Sequence, residues 1–124
     1  MGNNNARIAL ISHQVVGDKN QVRKATPPFG IACLAAVLEE QGYKNILLID
    51  AVLEDYDNIQ PVDQDSGFIK FGLSDENMVA KLKQFSPDMV GISSLFSSQT
   101  ECAFSLAKAV KKTFPRLPII FGGN

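Results

Sequence analysis

The sequence predicts an α/β fold built on a parallel sheet, and three observations predict it. Four short apolar runs, Arg7–Ser12, Asn45–Asp50, Asp88–Ser93 and Pro118–Phe121, have the length and continuity of strands buried on both faces. The stretches between them carry apolar residues at helical spacing. Strand and helix alternate along the chain, which implies right-handed βαβ units rather than hairpins.

Each element has local reasons. Residues 1–5 read as a polar, flexible tail, and Arg7–Ser12 as the first strand. The polar stretch from His13 to Thr26, with a single Gly17, reads as a long loop. Thr26 is placed to cap the first helix, with Pro27 at its first position. Ile31, Leu34, Ala35 and Leu38 follow at i, i+3, i+4 and i+7, and Gly42 stands where a helix-ending glycine belongs. Asn45–Asp50 is the second strand. Residues 51–72 read as an irregular acidic insertion: with Asp50 they bring six acids and no base before Lys70. Within them Phe68–Phe71 alternates weakly, as a short strand would.

Ser74 opens a second helix, Asp75 and Glu76 favour its first turn, and Ser86-Pro87 stops it. Asp88–Ser93 is the third strand. Ser98 and Glu101 have capping-box spacing at the start of a third helix, whose buried face is Ala103, Leu106, Ala107, Val110 and Phe114. Pro118–Phe121 is the fourth strand. A flavodoxin-like (Rossmann-like) three-layer sandwich follows, with the strands in spatial order 2-1-3-4. Because the chain stops in Gly122-Gly123-Asn124, it reads as one domain, 1–124, truncated before a fifth strand.

Bulk properties narrow the function. At 124 residues with 45 % hydrophobic content, one domain can hold an ordinary core. A net charge of −1 gives no footprint for nucleic acid or anionic lipid. No apolar run is long enough to span a bilayer, and the start lacks a signal-peptide layout. Cys33 and Cys102 read as small core residues of a protein in a reducing cytoplasm, and the aromatics Phe29, Phe85, Phe104 and Phe114 as core.

Function in such a sheet lies at the carboxyl ends of the strands. Those ends offer Ser12-His13-Gln14, Asp50, Ser93 to Ser98, and Gly122-Gly123. Hydroxyls and glycines suit hydrogen bonding and close backbone approach to a ligand. They provide no nucleophile–base pair. The loop after the first strand lacks the spacing of a dinucleotide motif, no phosphate-binding P-loop occurs, and Asp55-x-Asp57 lacks the glycine and glutamate of a calcium loop.

Three segments carry a family resemblance. Val90-Gly-Ile-Ser93-Ser94-Leu95 and Ile119-Ile-Phe-Gly122-Gly123 resemble the S-x-L … G-G pattern of cobalamin-binding domains, with 26 residues between Leu95 and Gly122. Thr26-Pro-Pro-Phe-Gly-Ile-Ala-Cys-Leu-Ala-Ala-Val-Leu-Glu-Glu-Gln-Gly-Tyr43 resembles the segment that opens the N-terminal cobalamin-binding domain of radical S-adenosylmethionine enzymes. Ser86-Pro-Asp-Met-Val-Gly-Ile-Ser93 is similar to the same family. The likeness covers the chain apart from residues 51–70.

The resemblance implies a domain that carries a corrinoid and is not catalytic alone. The expected cofactor-binding residues are Pro28, Gly30, Ser93, Ser94, Leu95, Ser97, Gln99, Gly122 and Gly123. Related domains with D-x-H-x-x-G place a histidine on cobalt. Here the region reads Ile11-Ser-His13-Gln-Val-Val-Gly17, without the Asp and with the glycine one residue late. His13 is the candidate cobalt ligand this leaves, and the reading preferred for it is a loop histidine with a solvent or backbone partner. The 4Fe–4S cluster and S-adenosylmethionine would belong to a downstream barrel domain, in a methyltransferase or a cyclase. Other readings are a non-catalytic module for a nucleotide-like small molecule or protein partner, and a scaffold that has lost its cofactor.

Overall fold

The computed structural model describes residues 5–20, 28–62, 67–94 and 99–122. Eleven elements follow in chain order: β1 (Arg7–Ser12), β2 (Val15–Asp18), α1 (Phe29–Glu40), β3 (Asn45–Asp50), α2 (Ala51–Glu54), β4 (Ile59–Pro61), β5 (Phe68–Phe71), α3 (Asp75–Phe85), β6 (Met89–Ser93), α4 (Thr100–Thr113) and β7 (Ile119–Gly122). The main sheet runs β3-β1-β6-β7 and is parallel throughout. This is the order and direction expected for the four apolar runs.

Alternation along the strands builds two core layers. Ala9, Ile11, Ile49, Val90 and Ile92 face α3 and α4, where they meet Met78, Leu82, Leu106 and Val110. Ile8 and Leu10 face the other way and pack on Ile31 and Ala35 of α1. Each such side chain contributes about 1.5–3 kcal/mol by leaving water. The second layer is thinner, since α1 is the one described helix in it. Leu34 and Val37 of α1 and Ile120 of β7 remain 52 %, 54 % and 52 % exposed.

Helix ends show why the chain turns where it does. Gly42 (φ 95°) closes α1 in a Schellman motif: its N–H donates to the Glu39 carbonyl, and the Tyr43 N–H to that of Leu38. Ser74 Oγ accepts the Asn77 N–H at 3.2 Å and caps α3, as expected. At the other end of α3, Ser86 takes φ 57° before Pro87. Thr26, Pro27 and Ser98 lie outside the described residues. The N-caps observed are Pro28 for α1 and Gln99 for α4, neither with a side-chain cap bond.

Three expectations need correction. The stretch after β1 is not all loop, because β2 forms at Val15–Asp18. Residues 51–72 are not an irregular insertion: α2, β4 and β5 occupy much of them, and β2-β5-β4 make a second, antiparallel sheet. These strands have three or four residues each and pair with distant segments, so little periodicity marks them. The acids there also have structural tasks. Asp50 caps α2 by accepting the Val52 and Leu53 N–H groups, and Glu54 pairs with Lys81 of α3.

The third correction concerns supposed core residues. Phe29 is 71 % exposed, and Phe104 and Cys33 are exposed as well, because each sits off its helix's buried stripe. Cys102 is buried as expected, and Phe85 and Phe114 are partly buried against the first core layer. Of the tail, residues 1–4 lie outside the described residues, and the Asn5 carbonyl accepts a hydrogen bond from Asn45.

The two sheets meet at Gly72. It holds φ 115°, and a Cβ there would stand 3.0 Å from the Ala51 carbonyl carbon and oxygen. Backbone cannot yield as a side-chain tip can. Gly72→Ala is expected to cost about 2 kcal/mol and to lower the thermal midpoint by about 8 °C. Thermal unfolding followed by circular dichroism checks this.

Candidate functional site

The strand register lines up the carboxyl ends of the main sheet. Ser12 stands opposite Asp50 on one side and Ser93 on the other, and Ser93 stands opposite Gly122. From β1 the order runs outward to β3 in one direction and to β6 in the other. The crevice between the ends of β1 and β6 is therefore the topological switch point, where ligands bind in open α/β sheets.

A groove of about 350 Å³ opens beside it, between α1 and the β6–β7 half of the sheet. The pleat explains its lining. Gly91 and Ser93 of β6 point to the α1 face, as do Ile120 and Gly122 of β7, and Gly30 and Leu34 look back from α1. Apart from the Ser93 hydroxyl and the Met89 thioether, the lining side chains are hydrocarbon or absent. At Gly91 a Cβ would stand 3.0 Å from Leu10 Cδ2, close enough that the leucine tip would have to shift. At Gly30 a Cβ would rest 3.5 Å from Ser93 Oγ, an ordinary contact, and at Gly122 it would meet none of the described residues within 4 Å. Those two glycines leave space that packing does not require.

The groove thus joins three of the expected site residues, Gly30, Ser93 and Gly122. Pro28 precedes α1 by one residue at its N-cap. Ser94 turns away: its N–H donates to the Gly122 carbonyl at 2.9 Å, and it lines a separate cavity with Thr100, Phe104 and Phe121. Gln99 bonds backbone, with its amide on both polar groups of Val16. Leu95, Ser97 and Gly123 lie outside the described residues. Sequence reading did not single out Gly91, Leu34, Val37 or Ile120. Counting by twos back from Ser93 and Gly122 would have found Gly91 and Ile120.

His13 is inside the protein, 5 % exposed. Its Nδ1 lies 2.6 Å from the Gln14 carbonyl, so that nitrogen carries the proton and donates. Nε2 is then the bare acceptor, and it is buried without a partner among the described residues. Burial holds the ring's pKa below its ordinary value, against smaller opposing effects that include the Gln14 bond and Asp75. Burial also raises the pKa of Asp50, despite its bonds to the Leu53 and Val52 N–H groups. Among the described residues no cluster of three His, Cys, Asp or Glu is placed to hold a metal ion.

A flavodoxin-like sheet with an apolar groove at its switch point defines a ligand-carrying α/β domain. Comparison with known proteins specifies the class. The model of the B12 binding domain matches residues 17–124, and the chain belongs to that family. It is also 37 % identical over 117 residues to cytidylyl-2-hydroxyethylphosphonate methyltransferase of Streptomyces wedmorensis. The alignment covers 94 % of this chain and 22 % of that protein, so the chain spans about a fifth of its relative's length. No solved structure gives a significant match.

His13 sets a pH dependence. Below its ordinary value of 6.5 the unfolded chain binds a proton that the buried ring resists, so stability falls as pH drops through that point. Asp50 acts with the opposite sign and nearer acid, because its folded carboxyl holds a proton more tightly than its unfolded one. The thermal midpoint is expected to fall between pH 7.5 and 5.5. In His13→Asn, whose amide keeps a donor for the Gln14 carbonyl, the midpoint should be flatter over that range. Melting curves for both proteins across the range check this.

Proposed function

We propose that this domain binds cobalamin with the nucleotide tail in the groove between α1 and β6–β7. The observation that carries the reading is the convergence of Gly30, Ser93 and Gly122 on one cavity. They come from three distant parts of the chain, and the resemblance assigned each to the cofactor from motif alone. The groove suits a flat apolar base such as dimethylbenzimidazole: hydrocarbon walls keep water out, Ser93 Oγ offers a hydrogen bond, and two glycines make room.

Bound cobalamin supplies a cobalt centre able to carry a methyl group. The chain's own residues contribute binding and orientation. His13 is 5 % exposed, and this burial keeps Nε2, the nitrogen a metal would take, away from a surface-bound cofactor, which favours binding without a histidine on cobalt.

The domain acts within a larger protein. The relative's length and its name as a methyltransferase support a cobalamin-dependent methyltransferase over a cyclase. In this reading a separate radical S-adenosylmethionine domain holds the 4Fe–4S cluster and S-adenosylmethionine. Two free thiols and the lack, among the described residues, of a helix long and apolar enough to cross a membrane agree with a cytoplasmic setting.

Titration with hydroxocobalamin, followed by visible spectrum and amide NMR, tests the reading. Shifts are expected at Gly30, Ser93 and Gly122, with a base-off spectrum. Gly122→Val places a branched side chain in open space, so it should fold normally and weaken binding at least tenfold, about 1.4 kcal/mol. No shift at millimolar ligand would transfer the groove to a nucleotide-like ligand or a protein partner. Wild-type affinity in Gly122→Val would move the tail elsewhere.

A further inference from the structure

One side chain ties together the two segments that flank the switch point. Gln99 Oε1 accepts the Val16 N–H at 3.0 Å, and Gln99 Nε2 donates to the Val16 carbonyl at 3.1 Å. A primary amide that takes both polar groups of one residue bonds as a residue of a neighbouring strand would. Val16 stands opposite Lys70 in the β2–β5 ladder, and β2 is an edge strand. Antiparallel alternation leaves Val16 with its N–H and carbonyl turned outward, and Gln99 satisfies that edge.

Helix capping does not explain a glutamine here. Gln99 is the N-cap of α4, a position where Ser, Thr, Asp or Asn serves better, and its side chain makes no cap bond. Both polar atoms of its amide engage Val16. The bridge also spans the crevice. Val16 belongs to the chain leaving β1, and Gln99 ends the connection that leaves β6.

We infer that Gln99 is a positioning residue for the cofactor: by pairing with Val16 across the switch point, it fixes the start of α4 at the carboxyl edge of the main sheet. The inference rests on the cobalamin reading above. Ser94, at the exit of β6, and Gln99, at the start of α4, are each anchored. Ser94 N–H bonds the Gly122 carbonyl, and Gln99 bonds β2. The second anchor is firm because the small sheet is itself fastened. Gln14 Nε2 and Asn58 Nδ2 both donate to the Gly72 carbonyl, at 2.9 and 2.8 Å. The small sheet thereby becomes a brace for the ligand site.

Two variants test this, each measured by amide hydrogen exchange without ligand and by hydroxocobalamin titration. Gln99→Met keeps length and removes the amide. Its Val16 amide is expected to exchange at least tenfold faster, the Ala103 amide, the first of α4 with an i−4 carbonyl to bond, is expected to lose protection, and affinity should fall about five- to tenfold. Gln99→Glu presents a carboxylate to the Val16 carbonyl and loses the donor. A protonated carboxyl has a donor and an acceptor, as an amide has. Its affinity relative to wild type should therefore recover on acidification from pH 7 to 5, while that of Gln99→Met should not.

Unchanged Val16 protection in Gln99→Met overturns the bridge. Lost protection with wild-type affinity overturns its role in binding. Wild-type protein that ignores hydroxocobalamin overturns the cobalamin reading instead, and exchange at Val16 and Ala103 then decides the anchoring of α4 alone.

Discussion

The register of β1 against its two neighbours is the constraint on which the rest depends. β1 pairs along its whole length with β3 and nearly so with β6, and its side chains feed both core layers. Ile8 and Leu10 serve one face, Ala9 and Ile11 the other. A slip of one residue would turn the large pair on α1 toward α3 and α4, where small Ala9 now leaves room. It would also remove Ser12 from the row it forms with Asp50 and Ser93. Core packing and alignment of the ligand site are therefore one specification. The apolar energy that holds the sheet together also fixes where the strand ends stand.

How far this was legible in the sequence follows from how local each signal is. β1, β3, β6 and β7 are unbroken apolar runs, and their helices carry full-length stripes, so order and direction could be read from alternation and handedness. Gly42 and Ser74 obey rules spanning a few residues, and both behave as read. β2 and β4 had no such mark. Val15-Val16 gains meaning only when Phe71 and Lys70 lie beside it, and that pairing crosses more than fifty residues. Long-range pairing of short strands is the information a single sequence carries least.

The site divides in the same manner. Gly30, Ser93 and Gly122 were legible because motifs marked them. Their neighbours Leu34, Val37 and Ile120 look like ordinary core until the second layer proves to have one described helix over it. Gln99 was read as a cofactor residue, yet the structure engages its amide with backbone. A pattern can show that a position matters to a site. It cannot distinguish a group that meets the ligand from one that holds the frame. His13 presents the reverse case: the one ring suggesting metal chemistry lies within the protein and bonds the next residue's carbonyl.

The bare half of the second layer also bears on how the molecule behaves in company. β7 is the edge of the main sheet, and it shows Ile120 on one face and Phe121 on the other, both largely open to water. Phe104 stacks edge-to-face on Phe121 and widens that apolar margin. Among the described residues no strand pairs beyond β7, and such an edge offers backbone groups between two greasy flanks, the surface along which β proteins adhere to one another. With a net charge of only −1, little Coulomb repulsion holds copies apart. Copies of the isolated chain are therefore expected to adhere along this margin, so that concentration and salt bear on how well it stays dispersed.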